Sequence, residues 1–256
     1  MILTDTHTHL YSEQFNEDID NVIQNCIDKG ITRLFLPNID SSSIEAMMNL
    51  GTNYPNNCFP MMGLHPTSVG ENYKEELAIV AEWMAKHKFC AIGEIGIDLY
   101  WDKTFLKEQQ EAFRFQIALA KKYDLPFVIH CRDSFEEIFK ILDELNDDKM
   151  RGIFHCFTGT VEQANHIINY GSFKLGIGGV VTFKNSVLDK VVEQIDLKHL
   201  VLETDAPYLA PTPYRGKRNE SSYLLGIAEK VADIYNISLE EVAKITTKNS
   251  QDVFGF

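Results

Sequence analysis

Two histidines separated by one residue, His7 and His9, lie near the start of the sequence. Side chains alternate between the two faces of an extended strand, so residues two positions apart point to the same side. If this segment is extended, both imidazoles face one way and can approach the same ion. Neutral imidazole is a common ligand of transition metals. The spacing therefore predicts part of a metal site.

Further histidines and acids follow short apolar runs along the chain. The strongest candidates to join the first pair are Glu94, His130, His155 and Asp205. Four imidazoles and two carboxylates are more ligands than one tetrahedral ion uses, but they suit two ions that share a carboxylate. Two neighbouring divalent cations activate water for attack on a phosphorus or carbonyl centre. The ligand types suit Mg²⁺, Mn²⁺ or Zn²⁺ and do not select among them.

Eight short runs rich in apolar, β-branched and aromatic residues are the candidate strands that position these side chains. They are Ile2–Leu3, Thr32–Leu36, Cys58–Gly63, Phe89–Ile95, Pro126–Ile129, Gly152–Phe154, Phe173–Ile177 and His199–Leu202. Segments of helical length with apolar residues three and four apart lie between most of them, for example Leu106–Tyr123 and Leu224–Tyr235. Strand and helix therefore alternate along the chain.

The alternation favours a barrel. Dividing 256 residues among eight runs gives 32 per unit, the size of a strand–helix repeat, and such barrels typically have about 250 residues. We predict an α/β fold, a TIM (β/α)₈ barrel that forms a single domain over residues 1–256, with an extra C-terminal helix over Ser238–Phe254. An open doubly wound sheet is disfavoured because no Gly-x-Gly-x-x-Gly pattern follows the first run. The candidate ligands then lie at the carboxyl ends of the strands, where TIM barrels carry their active sites.

Composition limits the surroundings and partners of the protein. No run approaches the about 20 apolar residues of a membrane span, and no basic start precedes an apolar block, so we expect a cytoplasmic protein without a membrane segment. The five cysteines include no Cys-x-x-Cys pair, which indicates reduced thiols. A net charge of −13 argues against an extended nucleic-acid-binding face, because phosphate binding depends on cationic side chains. Nothing indicates an obligate protein partner.

Several motifs occur in order over nearly the whole chain. They are Asp-Thr-His-Thr-His-Leu from Asp5, Gly-Leu-His-Pro from Gly63, Gly-Glu-Ile-Gly-Ile-Asp from Gly93, His-Cys-Arg-Asp from His130, His-Cys-Phe-Thr-Gly from His155, Thr-Phe-Lys from Thr182, Glu-Thr-Asp-Ala-Pro from Glu203 and Arg-Gly-Lys-Arg-Asn-Glu from Arg215. As an ordered set they resemble the TatD family of metal-dependent deoxyribonucleases. One departure is Ser221, where the family pattern leads us to expect proline.

The resemblance implies a barrel of the amidohydrolase superfamily that hydrolyses phosphodiester bonds of DNA, as a 3′-to-5′ exonuclease on single strands. It implies two divalent cations held by His7, His9, Glu94, His130, His155 and Asp205. Glu94 would bridge the cations, and Asp205 would also act as the general base. His65 and Arg132 are implied as contacts to substrate phosphate. The expected partner is single-stranded DNA or another phosphodiester substrate.

The roles of other polar residues stay open. Asp5 and Glu203 either orient metal ligands or are buried polar groups paired for the fold. His65 either faces substrate or caps the loop before Pro66. Three cations in loops after predicted strands, Lys184, Arg215 and Arg218, are candidate phosphate contacts.

Two aromatic residues and two rival functions also stay open. Tyr100 and Trp101 either stack on unpaired bases or pack a loop. A small-molecule amidohydrolase or esterase would use the same metals, although many such enzymes have a carboxylated lysine where Glu94 stands. A non-catalytic metal-binding scaffold would bind the ions without turnover.

Overall fold

The computed structural model describes all 256 residues and consists of eight parallel strands that alternate with helices. The strands are β1 (Leu3–Asp5), β2 (Ile31–Pro37), β3 (Cys58–Met61), β4 (Ile92–Asp98), β5 (Phe127–Arg132), β6 (Gly152–Phe154), β7 (Phe173–Ile177) and β8 (Leu200–Leu202). The helices are α1 (Ile19–Asp28), α2 (Ile44–Asn53), α3 (Tyr73–Lys86), α4 (Leu106–Tyr123), α5 (Phe135–Leu145), α6 (Val161–Asn169), α7 (Leu188–Val192), α8 (Leu224–Tyr235) and α9 (Leu239–Phe254). This order confirms the predicted (β/α)₈ barrel.

Backbone hydrogen bonds close the strands into a ring. Strands β1 to β3 pair in chain order, and so do β4 to β8. At the seam between β3 and β4, the Gly93 N–H donates to the Met62 carbonyl over 3.0 Å. At the seam between β8 and β1, the Thr6 N–H donates to the Leu202 carbonyl over 3.0 Å. Side chains that follow β1 and β8 in sequence are therefore neighbours in space.

The last helix covers the amino-terminal opening of the barrel. The Ser238 side chain accepts a hydrogen bond from the Glu241 N–H and caps α9, as the Ser-x-x-Glu pattern predicts. Asn249 donates to the carbonyls of Leu197 and Leu200, which precede and begin β8. Inside the barrel, a buried cluster combines side chains of several strands with one residue of α9: Phe35, Met61, Ala91, Val128, Ile153, Val201 and Val253. With that end filled, only the carboxyl-terminal face is available for a site.

Helix bounds match the sequence prediction more closely than strand bounds do. Helices α4 and α8 have the predicted limits, but β4 begins at Ile92 and continues to Asp98, and β5 continues to Arg132. Glu94 therefore lies within its strand, and another acid ends that strand. None of the helices has the length and apolar character needed to cross a bilayer.

Candidate metal centre

Six side chains converge at the carboxyl-terminal face of the barrel. His7 and His9 follow β1, Glu94 and His130 lie in β4 and β5, and His155 and Asp205 follow β6 and β8. The His9 Nε2 and His155 Nε2 atoms lie 3.6 and 3.7 Å from Asp205 Oδ1. The His7 Nε2 atom lies 3.0 Å from Glu94 Oε2. The structure thus brings together every residue that the sequence proposes as a metal ligand.

Glu94 lies between two sets of imidazoles. Its Oε2 atom faces His7 at 3.0 Å and His9 at 3.7 Å. Its Oε1 atom faces His130 Nδ1 at 2.8 Å and His65 Nε2 at 3.5 Å. Each set forms, with Glu94, a group of ligand atoms close enough to hold one ion. The two groups share the Glu94 carboxylate.

The charge balance of the cluster also suits cations. Glu94, Glu203 and Asp205 are buried or nearly so, and none has a lysine or arginine partner; their ion-pair contacts are all with histidines. Burial would raise the pKa of Glu94, but the surrounding imidazoles His7, His65 and His155 outweigh burial and hold it well below its usual value. Buried carboxylates without fixed cations are costly unless ions or protons offset them. The donor set therefore fits divalent metal.

The imidazoles divide into neutral and protonated groups. Burial lowers the pKa of His9 to about 4 and that of His7 well below its usual value, so both present lone pairs at neutral pH. Burial would also lower the pKa of His155, but the carboxylates of Glu203, Glu94 and Asp205 outweigh it and raise the pKa to about 10. Metal ligands must be deprotonated, so binding at His155 releases a proton.

A tyrosine that the sequence analysis missed fixes the tautomer of His9. The Tyr11 hydroxyl donates its one proton to the Pro37 carbonyl, which can only accept. The same hydroxyl lies 2.8 Å from His9 Nδ1 and must accept from it. His9 therefore carries its proton on Nδ1 and points the lone pair of Nε2 at the cluster, as a metal ligand requires.

Asp98 orients His130 and is a second residue that the sequence analysis did not assign. The Asp98 Oδ2 atom lies 2.8 Å from His130 Nε2, while His130 Nδ1 faces Glu94. Glu94 and Asp98 are four positions apart in β4, on one face, so the alternation that connects His7 with His9 also predicts this pairing. The apolar run in the sequence ends at Ile95, three residues before Asp98, so the run alone does not show that the strand reaches Asp98.

The two acids with open roles contact different parts of the site. The Glu203 Oε1 atom lies 2.9 Å from His155 Nδ1, and Glu203 also accepts from the Cys156 N–H. The His155 contact is electrostatic and lacks the alignment of a hydrogen bond. A Cβ on Gly176 would stand 2.2 Å from Glu203 Oε2, so only glycine leaves room for that carboxylate.

Asp5 contacts backbone and hydroxyl groups and no imidazole. It accepts from the Thr204 N–H over 2.9 Å and from the Thr204 hydroxyl over 2.6 Å, and so joins the ends of β1 and β8. Burial raises the pKa of Asp5 to about 7. Ser221 is also buried at this seam, and its hydroxyl donates to Thr8, which lies between the first two ligands. The departure from the family pattern therefore supports the ligand-bearing segment directly.

The structure shows the capping role left open for His65, and its contact with substrate stays a prediction. Its Nδ1 atom accepts from the Thr67 N–H over 3.1 Å and caps the short helical turn Pro66–Ser68. Its Nε2 atom lies 3.2 Å from His130 Nδ1 and faces the cluster.

Three of the proposed phosphate contacts present unpaired charge. Arg132, Lys184 and Arg215 are exposed in or after β5, β7 and β8, and none forms an ion pair with a carboxylate. The Arg215 guanidinium rests 3.8 Å over the Phe183 ring, and the Arg132 guanidinium rests 3.7 Å over the Tyr100 ring. These cations lie at the same face as the ligand cluster.

Arg218 requires a correction. Both terminal nitrogens of its guanidinium bind Asp18, at 2.8 and 2.6 Å, and one also contacts Glu220. Asp18 and Glu220 raise the pKa of Arg218 further, so the guanidinium stays protonated. Its positive charge is balanced by these two carboxylates. Arg218 joins the last loop to the segment before α1 and has no free charge for substrate.

Comparison with known proteins identifies the family. The family described as TatD related DNase matches residues 4–255. The chain belongs to the TatD family. A relative from Bacillus subtilis, named the uncharacterized metal-dependent hydrolase YabD, is 41% identical over 99% of both chains.

Solved structures of TatD proteins share the fold. The Escherichia coli TatD homologue YjjV superposes with a TM-score of 0.93 at 26% identity, covering 99% of this chain and 98% of YjjV. A hydrolase of the TatD family from Entamoeba histolytica superposes with a TM-score of 0.85 at 27% identity, with the same coverage. The fold and the metal-dependent hydrolase class thus agree with the ligand cluster.

Proposed function

We propose that this TatD-family hydrolase cleaves phosphodiester bonds of DNA, with two divalent cations, and removes nucleotides from the 3′ end of single strands. The observation that carries the proposal is the position of Glu94, whose two oxygens face two separate imidazole groups. The family description supports DNA as the substrate. The direction of digestion rests on the family resemblance of the sequence motifs.

The residues of the cluster have different roles in the proposed hydrolysis. Divalent cations held by His7, His9, Glu94, His130, His155 and Asp205 would supply Lewis acidity, which activates water near neutral pH and offsets charge on the phosphate. Asp205 accepts the proton of the attacking water, because its carboxylate is the least buried acid of the cluster and borders the open face. Arg132 would hold the phosphate oxygens in place. His65 would contact the phosphate from beside His130, although its Nε2 atom also lies close enough to Glu94 and His130 to join an ion-binding group.

The surface charge supports engagement of a strand end. The chain has a net charge of −13, and only a few cations without carboxylate partners, such as Arg132, Lys184 and Arg215, lie at the carboxyl-terminal face of the barrel. A protein that neutralises few phosphates binds duplex DNA weakly at physiological salt. A deep site at the end of a closed barrel admits a strand terminus more easily than the middle of a duplex.

A substrate panel tests the proposal. Metal-loaded protein is incubated with 5′-labelled and 3′-labelled single-stranded DNA, duplex DNA, RNA, a lactone and a cyclic amide, each with and without chelator. We expect chelator-sensitive shortening of single-stranded DNA from its 3′ end, and loss of that activity in Asp205→Asn. The exposed Asp148→Asn variant is the matched control and should keep wild-type activity.

Each rival function has its own outcome in this panel. Turnover of the lactone or amide without cleavage of nucleic acid would identify a small-molecule hydrolase. Metal binding without turnover of any substrate would identify a scaffold. Either result contradicts the proposed function.

A further inference from the structure

Two large aromatic side chains are exposed directly beside the metal centre. Tyr100 and Trp101 follow β4, and 54% and 71% of their surfaces are exposed. Their rings meet edge to face, with centroids 4.9 Å apart. Packing of a loop would bury such rings, so their exposure favours the other role that the sequence left open, contact with a ligand.

One carboxylate fixes both this aromatic pair and a metal ligand. The Asp98 Oδ1 atom accepts from the N–H groups of Tyr100 and Trp101 over 3.0 and 3.2 Å. Its Oδ2 atom contacts His130 Nε2 at 2.8 Å. The backbone of the aromatic pair is therefore held one residue away from the ligand cluster.

A cation completes the surface. The Arg132 guanidinium lies 3.7 Å over the Tyr100 ring and 5.5 Å from the Trp101 ring centroid. Because Arg132 has no carboxylate partner, its charge is available to an anion. Arg132 covers the Tyr100 ring, so the Trp101 ring is the aromatic face left for a ligand. An exposed aromatic face with a free guanidinium beside it matches a nucleotide, which joins a flat base to a phosphate.

Depressions lie on both sides of the aromatic pair. One of about 260 Å³ is lined by Trp101, Pro66 and Asp98. The other, of about 680 Å³, is lined by Tyr100, Arg132 and other residues, and its volume is in the range of small-molecule sites. The two rings thus form a ridge between open spaces, which gives an unstacked base room to lie against it.

We propose that Tyr100, Trp101 and Arg132 form a nucleobase-stacking subsite, in which an unpaired base next to the cleaved bond stacks on Trp101 while Arg132 binds its phosphate. The proposal rests on the proposed function, because it assigns where part of that substrate lies. The subsite requires an unstacked base, so it selects single strands over duplex. Stacking is tolerant of sequence, since every base has an aromatic face.

The test compares strands with and without bases. The substrates are single-stranded DNA with ordinary 3′-terminal nucleotides and the same strand with abasic 3′-terminal nucleotides. For Trp101→Ala we expect kcat/KM on the ordinary strand to fall by roughly 5- to 150-fold, the equivalent of about 1–3 kcal/mol of stacking. On the abasic strand the ratio of variant to wild type should approach one, since no stacking is left to remove. An equal loss on both strands, or no loss on either, would overturn the subsite.

Fluorescence supplies a measurement that needs no turnover. The chain has two tryptophans, and the second, Trp83, lies in α3. Metal-free protein carrying Trp83→Phe reports on Trp101 alone, and single-stranded oligothymidylate should quench its emission. Cleavage of DNA without quenching would sink the subsite and leave the proposed function intact. Quenching without any cleavage by metal-loaded protein would support the subsite and contradict the proposed function. Trp83→Phe by itself is the activity control.

Discussion

The hydroxyl of Tyr11 gives the sharpest prediction about how the metal centre is held. Tyr11→Phe removes one oxygen that serves two buried groups, the Nδ1–H of His9 and the carbonyl of Pro37. A buried polar group without a partner costs about 1–3 kcal/mol. We therefore expect the free energy of unfolding, measured with urea in the presence of chelator, to fall by about 1–3 kcal/mol or somewhat more.

The same substitution should weaken metal binding. Without Tyr11, His9 is free to place its proton on Nε2, the nitrogen that faces the cluster, and that tautomer cannot bind metal. Loss of a residue that orients a ligand typically costs 10- to 100-fold in metal affinity. Competition between the protein and a chromophoric chelator for Zn²⁺ measures this change.

A second tyrosine supplies the matched control for the competition experiment. The Tyr235 hydroxyl shares its one proton between the carbonyls of Val192 and Ile195, in a part of the chain that contributes no ligand. Tyr235→Phe should lower stability and leave zinc affinity unchanged. If Tyr11→Phe also lost stability while keeping wild-type affinity, the assignment of the His9 tautomer would be wrong.

Three further predictions concern orientation, ion pairing and metal removal. Asp98→Asn keeps an acceptor for the loop but removes the anion beside His130, so zinc affinity should fall by about 10- to 100-fold in the same competition assay. Arg218 holds the pKa of Asp18 below its usual value, so this pair stabilises the protein above about pH 4 and the benefit disappears as pH falls through the lowered pKa. Urea unfolding of wild type and Asp18→Asn should differ by on the order of 1 kcal/mol or less at pH 7, and the difference should shrink as the pH is lowered below about 4. Free metal at 100 times its dissociation constant should stabilise the fold by about 2.7 kcal/mol for each ion bound, which calorimetry with and without chelator measures; equal midpoints would show that metal does not bind the folded state preferentially.

The sequence predicts the positions of most ligands because a barrel collects the carboxyl ends of its strands at one face. His7, His9, His155 and Asp205 follow their strands and His130 lies near the end of β5, as the barrel predicts. Glu94 is the exception, because it lies within β4. Both α4 and α8 match their predicted limits because their apolar periodicity is long. The limits of β4 differ from those of its apolar run because the strand continues past Ile95 through Gly96 to the polar Asp98, which an apolar pattern does not reveal.

Contacts between distant segments account for what the sequence could not predict. Tyr11 donates to the carbonyl of Pro37, which is 26 residues away in the sequence. Arg218 binds Asp18, from which it is separated by 200 residues. Neither spacing follows from the periodicity of a helix or a strand. A basic loop residue near a predicted site is a reasonable phosphate contact until the fold shows which carboxylate already binds it. Side-chain partners of this kind require the tertiary structure.

The most direct test of the account measures cleavage of single-stranded DNA as metal is restored. Metal-free protein receives Mn²⁺ or Zn²⁺ in steps, and the rate of shortening of a 5′-labelled strand is followed together with the metal bound per chain. The account predicts no cleavage without metal and a maximal rate when about two ions are bound, because Glu94 serves two ligand groups. Full activity of the metal-free protein, or saturation with metal and no cleavage of any phosphodiester, would contradict it.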